Sequence, residues 1–365
     1  MELTFIKNYF SRKGDGTNHI AWIDFAKGLG IFLVVLGHLW YVCPNREVLN
    51  AIYSFHVPFF FVLSGLVFNT KGKRFLPFLI NKIKRVFIPL LFFIVLAIIV
   101  GYTFYKNVFS DPQVALESFT LWNGEIYCNK PVYFLLILFE LYLVMYALFR
   151  IGDGVFEKII WLVMFIILGF VTYHYKVFIP FGMNRMICIA PFFIAGSLIR
   201  DFLKAGFKIK KRYYVITAII SAGLWILFGV FLNSYVSVYS FNLGKYGLFL
   251  ISGLFGSVFF ILASMLLSKI NFLYFINLWG KNSVFIMGTH FVATIGPVWL
   301  FRNYVTEIGF NTNFAISFVV PAFALALLLV YIPVCFIADC LIPWFTGKKQ
   351  FLYSYLFSKV KHKQN

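Results

Sequence analysis

The first long apolar segment of the chain carries three ionisable side chains, Asp24, Lys27 and His38. If this segment crosses a bilayer, each such group costs roughly 2.5–3.5 kcal/mol near the helix centre, so each requires a partner or a task. Asp24 and Lys27 are three positions apart, which lets the two charges neutralise each other on one helix face. His38 follows Lys27 by eleven positions, and about 100° of turn per residue returns it to within about 20° of the same face. The spacing predicts one polar stripe, and a structural ion pair is the simpler interpretation of Asp24 and Lys27.

Depth can be read from the same spacing. Eleven residues rise about 16 Å, more than half of a hydrocarbon core about 30 Å thick, so His38 is expected in the outer half of the membrane. His56 lies just below the outer edge of the next apolar segment, which a short loop makes an antiparallel neighbour, and is expected at a similar depth. His290 is expected nearer mid-membrane, and Arg185 at the outer end of a later segment. Together, the three histidines and Arg185 predict a polar cavity.

Each of these residues also has a structural interpretation. A neutral histidine hydrogen-bonded between helices is the usual case for His38, and His56, two residues before Pro58, can cap an interrupted helix start. Ser64 and Gly65 suit close helix packing, and Glu140 suits a hydrogen bond between helices. The five cysteines lack metal-ligand or disulfide-framework spacing, so no metal site is expected.

Composition predicts the elements that must position these side chains. Hydrophobic residues make up 61% of the 365 positions and charged residues only 12%, about half the share of ordinary soluble domains, which excludes a soluble protein. The fold class predicted is an all-α polytopic membrane protein with about ten transmembrane helices. The expected spans are 20–43, 50–69, 86–105, 131–149, 159–175, 185–199, 213–232, 246–268, 282–301 and 313–341.

The net charge of +19 follows the same topology. If the amino terminus is inside, 24 of the 32 lysines and arginines fall in cytoplasmic segments, as the positive-inside rule requires. Both termini are therefore expected in the cytoplasm, and nucleic acid is not an expected partner. The predicted organisation is a cytoplasmic tail at 1–19, one transmembrane domain at 20–342 and a basic cytoplasmic tail at 343–365.

Several stretches carry a resemblance to a known family. WIDFAKGLGIFLVVLGHLW followed by SFHVPFFFVLSGLVF resembles the start of the membrane-bound acyltransferase 3 family, especially its fucose 4-O-acetylase-like, polysaccharide O-acetyltransferase branch. The hallmark of that family is a basic residue, ten intervening positions and a histidine, which Lys27 and His38 reproduce. KIKRVFIPL, PVYFLLILF, PFFIAGSLI and WGKNSVFIMGTH extend the resemblance over nearly the whole chain. Tyr133 stands where a tryptophan is common, and no hydrolase-like domain follows the last span.

The resemblance implies transfer of an acyl group, most often acetyl, from acyl-coenzyme A to a hydroxyl of a cell-surface or lipid-linked glycan. An imidazole that titrates near neutrality can accept the hydroxyl proton, so His38 is the candidate base, or alternatively a transient acyl acceptor. Asp24 and Lys27 complete the expected catalytic set. His56, Ser64, Arg85, Arg185, Ser283 and His290 are expected to bind donor or acceptor.

The expected partners follow from that activity. Acetyl-coenzyme A is expected as donor substrate, with no permanently bound cofactor, and the basic residues before the third span, Lys82, Lys84 and Arg85, would hold its phosphates. A bacterial cytoplasmic membrane is the expected location. The main alternative is a transporter or flippase for a lipid-linked sugar, which also suits ten spans with a polar cavity, although no pair of matching interrupted helices marks two repeats. A structural subunit of a polysaccharide-synthesis complex is a third possibility.

Overall fold

Long apolar helices form the architecture of the computed structural model, which describes residues 21–39, 46–104, 112–205, 211–293 and 318–341. In chain order the α-helices are α1 Ala21–Leu39, α2 Arg46–Tyr53, α3 His56–Val67, α4 Phe75–Lys82, α5 Ile88–Phe104, α6 Pro112–Thr120, α7 Tyr133–Ile151, α8 Val155–His174, α9 Met183–Lys204, α10 Lys211–Ile226, α11 Tyr246–Leu267, α12 Phe275–Lys281, α13 Ser283–Ala293 and α14 Val320–Leu341.

Within the described ranges, nine helical stretches are long and apolar enough to cross a membrane. They are Trp22–Leu39, Arg46–Val67, Phe75–Gly101, Tyr127–Ile151, Val155–His174, Pro180–Lys204, Arg212–Leu232, Tyr246–Leu267 and Val320–Leu341. This confirms the predicted all-α polytopic class. Of the remaining expected span, 282–301, residues 294–301 lie outside the described residues, and α13 forms most of its described part. Both expected tails, 1–19 and 343–365, also lie outside them.

The third span begins earlier than the expected residue 86. The chain is helical from Phe75, through a π-helical turn at Ile83–Phe87, to the end of α5 at Phe104. The sequence interpretation took the charges near Lys82 for a loop. Instead the Lys82 ammonium lies 3.3 Å from the ring centroid of Tyr142, a cation–π contact that keeps a charged side chain on a helix surface.

Two glycine contacts bring helices together. A β-carbon on Gly28 would collide with the Ile276 carbonyl oxygen, and one on Gly280 with the Asp24 carbonyl oxygen, so α1 and α12 meet backbone to backbone. Gly65 meets Phe193 in the same way, which joins α3 to α9 and confirms the small-residue contact expected there.

The second span is broken between α2 and α3, at Ser54 and Phe55. Pro58 has no N–H to donate to the Ser54 carbonyl, so the helical hydrogen-bond ladder cannot run through this point. The indole of Trp225 donates to the Ala51 carbonyl and to the Ser54 hydroxyl, each at 3.1 Å, which satisfies groups exposed by the break. The break places His56 at the first turn of α3.

A buried ion network ties the ends of α8 and α9 that the charge pattern predicts to be cytoplasmic. Lys158 is 1% exposed, and its ammonium lies 2.7 Å from Asp153 and 2.5 Å from Asp201. Arg200 contacts Asp201 at 3.0 Å and donates to the carbonyl of Phe68. The opposite end of the helices is called the outer end below.

Candidate active site

The rings of His38 and His290 are in contact at the outer ends of α1 and α13. Their centroids are 5.2 Å apart and their planes are inclined by 48°. Gly280 meets Asp24 near the start of α1, and ten residues later His290 meets His38, so the two helical paths run in the same direction. The two rings therefore lie within about one helical turn of each other along these paths, and the expected position of His290 nearer mid-membrane stays a prediction.

Backbone contacts fix the orientation of the His290 ring. Its Nδ1 lies 2.9 Å from the carbonyl oxygens of Ile286 and Met287. A carbonyl oxygen only accepts, so Nδ1 carries the hydrogen and Nε2 holds a lone pair. His290 is fully buried, and Nε2 has no hydrogen-bond partner among the described residues. A buried acceptor on the ring that contacts His38 thus has no donor among the described residues.

His56 is held in the same manner from α3. Its Nδ1 lies 2.9 Å from the Ile52 carbonyl oxygen, so this nitrogen also donates and Nε2 is an acceptor. Tyr53 links the two sides, with its ring centroid 4.9 Å from His56 and 6.5 Å from His38. We call His38, His56, His290 and Tyr53 the histidine cluster.

Within the histidine cluster, His38 is the histidine that remains partly exposed, whereas His56 and His290 are buried. Phe291 packs against the His38 ring at 5.7 Å, but no hydrogen bond to the ring is formed by the described residues. Among the described residues of the cluster, His38 is thus the histidine whose ring keeps some exposed surface.

Arg185 occupies the outer end of α9, where it binds the protein. Its guanidinium donates to the Tyr239 carbonyl at 3.0 Å, to the Asn123 carbonyl at 2.9 Å and to the Glu125 carboxylate at 2.6 Å. The side chain is 4% exposed. These contacts join two outer loops to α9, so the geometry favours a positioning role for Arg185 over the direct contact with substrate that was expected.

Lys130 and Tyr239 lie beside these contacts of Arg185. The Lys130 ammonium is 5.6 Å from the Tyr239 ring centroid, and the ring of Tyr239 packs against Tyr133 at 5.6 Å. The Tyr239 hydroxyl is buried and has no hydrogen-bond partner among the described residues. Burial, with the nearby Glu125 charge, raises the pKa of Tyr239 above its ordinary value of 10, so the phenol stays a neutral donor at physiological pH.

The inner end of the polar stripe forms a second group of candidate residues. The Lys27 ammonium lies 3.8 Å from the Asp24 carboxylate, with the Lys27 side chain 35% exposed and Asp24 buried. Ser283 is partly buried just beyond the Gly280 contact with Asp24. About 16 Å of helix separates Lys27 from His38. The expected catalytic residues thus occupy both ends of one helix and do not form one contact cluster.

Two further expected residues lie on the inner half of neighbouring helices. Ser64 lies beside the hydroxyl of Tyr142, the ring that Lys82 covers. Arg85 is exposed on the π-helical turn before α5. Neither has a described contact with the histidine cluster.

Metal ligation has no support in the part of the chain that the structure describes, which holds no group of three histidine, cysteine, aspartate or glutamate side chains placed to bind a metal ion.

Comparison with protein families gives a decisive match. The family model for the acyltransferase domain of the acyltransferase 3 type matches residues 20–340. The chain belongs to the acyltransferase 3 family. No curated protein and no solved structure matches it. Membership favours an acyltransferase 3 enzyme over the transporter alternative, and the family domain covers both the inner Asp24–Lys27 pair and the outer histidine cluster.

Sequence reasoning about this acyltransferase 3 domain missed three residues: Tyr53, Lys130 and Tyr239. Tyr53 could have been found from the sequence. It lies three residues before His56, and that spacing places two side chains close together on a helical path. Lys130 was counted only as an outer charge. Tyr239 lies in the loop between α10 and α11, and no local pattern connects that loop with α7.

Proposed function

We propose that this membrane acyltransferase transfers an acyl group, most simply acetyl, from acyl-coenzyme A to a hydroxyl of a cell-surface or lipid-linked glycan. The observation that carries the proposal is the contact between partly exposed His38 and buried His290, whose Nε2 lone pair has no described partner. Proton transfer from a hydroxyl needs such a base within reach of solvent-borne substrate. The polysaccharide O-acetyltransferase branch and the bacterial cytoplasmic membrane belong to this proposal.

In the proposed reaction His38 takes the proton of the acceptor hydroxyl as its oxygen attacks the thioester carbonyl. The carbon–sulfur bond then breaks, and the proton passes from the imidazolium to the departing coenzyme A thiolate. The lone pair on His290 Nε2 stabilises the positive charge that appears on His38 during the reaction. Its Nδ1–H bonds to two carbonyls hold that lone pair in place.

A transient acyl-histidine is the alternative route, in which His38 itself attacks the thioester and then passes the acyl group to the hydroxyl. Incubating the purified protein with acetyl-coenzyme A in the absence of acceptor separates the two routes. Mass spectrometry of the peptide containing His38 would show a gain of one acetyl group only if the covalent route operates.

Donor entry is proposed from the cytoplasmic side. Lys27 is partly exposed near the inner end of α1, while Arg85 and Lys84 are exposed on the turn before α5. Their charges suit the phosphates of a coenzyme A nucleotide. From there the pantetheine arm would rise along the stripe from Lys27 to the histidine cluster. Asp24 would hold Lys27 in position, and Ser64 and Ser283 would hydrogen-bond along this route.

Acyl content of surface glycans, measured by mass spectrometry, tests the proposal in cells that carry wild-type protein, His38→Ala or His174→Ala. His174 is a matched control, because it is exposed at the outer end of α8 and stacks on Phe170. His38→Ala should lower acyl transfer at least about 100-fold, the usual loss when a general base is removed. Unchanged acylation in His38→Ala, at equal protein level, would refute the proposed base.

Lys27→Ala tests the donor side. This variant should raise the KM for acetyl-coenzyme A and leave the KM for the acceptor unchanged, since the proposed contact is with the donor phosphates. A change in the acceptor KM alone would contradict the assignment.

A further inference from the structure

Near the histidine cluster, at the outer end, lies a cation without a carboxylate partner among the described residues. Lys130 is exposed, and no carboxylate of the described residues lies within 4 Å of its ammonium. Glu125, the acid in the same loop, is engaged by Arg185 at 2.6 Å. The turn that carries Lys130 is hydrogen-bonded to the helix of His290, whose ring contacts that of His38. The cation therefore remains available to a ligand that approaches His38 from outside.

The position of Lys130 is fixed relative to His290. Its neighbour Asn129 is fully buried in a non-helical conformation, and the Asn129 amide donates to the Gly288 carbonyl at 2.7 Å. Gly288 is two residues before His290 on α13. A direct hydrogen bond thus connects the turn that carries Lys130 with the helix that carries a histidine of the cluster.

A second donor lies beside Lys130. The buried Tyr239 hydroxyl has no described partner, although a buried hydroxyl without a hydrogen bond costs about 1–3 kcal/mol. The Tyr239 ring is held by Tyr133 on one side and its backbone carbonyl by Arg185 on the other. The ring that carries the hydroxyl is thus kept in place beside the Lys130 ammonium, and the hydroxyl has no acceptor among the described residues.

We propose that Lys130 and Tyr239 bind an anionic group, a carboxylate or a phosphate, that belongs to the acceptor and lies next to the hydroxyl that is acylated. This inference rests on the proposed function and names its acceptor class: an acidic or phosphate-linked saccharide. A cation and a neutral O–H donor, with no carboxylate of the described residues paired to that cation, match an anion better than a neutral sugar ring. Arg185 supports the site indirectly, since its own donors are occupied.

The test uses membranes that contain the protein, labelled acetyl-coenzyme A and surface glycan extracted from cells that lack it. Lys130→Ala should raise the acceptor KM about tenfold with kcat within about twofold, and Lys130→Arg should restore the wild-type KM. Tyr239→Phe should raise the same KM. Lys176→Ala is the matched control, because Lys176 is another exposed outer lysine over a tyrosine ring, 3.7 Å from the Tyr173 centroid. It should leave both constants unchanged.

Mass spectrometry of the acylated fragments identifies the anion. The expected fragments contain either a uronic or other carboxylic sugar, or a phosphate-linked sugar, next to the acylated hydroxyl. Acylation confined to neutral sugars without a neighbouring phosphate would overturn the inference. So would a Lys130→Ala variant that behaves like Lys176→Ala while His38→Ala is inactive. Absence of transfer by the wild-type protein to any glycan would instead overturn the proposed function, and the inference with it.

Discussion

Replacing Arg185 with lysine tests whether the outer loops depend on the fork geometry of one guanidinium. In the structure this group joins α9 to the Tyr239 and Asn123 carbonyls and to the Glu125 carboxylate. Lysine keeps the positive charge, but a single ammonium cannot reproduce three contacts made by a planar fork. We expect Arg185→Lys to keep the ion pair with Glu125 and to lose both carbonyl contacts.

The expected change in the free energy of unfolding follows from the burial and charge of Arg185 and its partners. Hydrogen bonds that involve a charged group contribute about 1.5–3 kcal/mol each, and removing one partner of a buried ion pair costs about 3–5 kcal/mol. Glu125 is 25% exposed, so water can partly replace its partner. We expect Arg185→Ala to lower the free energy of unfolding by about 3 kcal/mol, near the lower limit of that range. Arg185→Lys should lower it by about 2 kcal/mol, because it keeps the ion pair but leaves two carbonyls unsatisfied.

Denaturation by sodium dodecyl sulfate in mixed micelles gives the free energy of unfolding, and the acceptor KM reports whether Tyr239 has moved. Arg185→Lys should raise the acceptor KM with little change in the KM for acetyl-coenzyme A. Arg212→Lys is the control, since Arg212 is exposed and hydrogen-bonds only to the adjacent Tyr213 among the described residues, so its effect should be within about 0.5 kcal/mol. The reasoning is refuted if Arg185→Lys matches the wild type in both stability and acceptor KM.

Three other substitutions give separate predictions, each measured by the same denaturation titration. Lys158→Met should lower the free energy of unfolding by about 3–5 kcal/mol, because two carboxylates lose a buried counter-ion. An unchanged free energy of unfolding would show that this ion network does not stabilise the fold. Gly280→Val should prevent packing against the Asp24 carbonyl and abolish recovery of folded protein, whereas Gly223→Ala, which meets nothing within 4 Å, should be neutral or stabilise α10 by up to about 1 kcal/mol. Glu140→Leu should raise stability by about 1–3 kcal/mol, since both carboxylate oxygens are buried without a described hydrogen-bond partner, and a loss of stability would reveal a partner.

The fold class follows from composition, because hydrophobic length and the low charge content leave few alternatives to membrane-spanning helices. Helix boundaries depend on tertiary contacts, and the sequence predicted them less well. The third span was predicted to begin at 86 since Lys82 and its neighbours resemble a loop, yet the Tyr142 ring on α7 accommodates the Lys82 charge. That contact joins residues 60 positions apart, which no local period can reveal.

The site was predictable along one helix and less so between helices. Helical spacing placed Asp24, Lys27 and His38 on one stripe, and the structure forms the expected contact between Asp24 and Lys27. Helical spacing could not give the contact between His38 and His290, because it depends on how Gly28 and Gly280 let α1 meet α12. Glu140 was expected to form a hydrogen bond between helices, but its carboxylate has no such bond among the described residues.

The glycine contact between α1 and α12 also has a mechanical consequence. α12 leads almost directly into α13, with Asn282 between them, so the backbone contacts of Gly28 with Ile276 and of Gly280 with Asp24 lie at one end of a helix pair whose other end carries His38 and His290. A small rotation of α1 relative to α12 and α13 at these glycine contacts would change the spacing of the two imidazoles, because displacement grows with distance from the point of rotation.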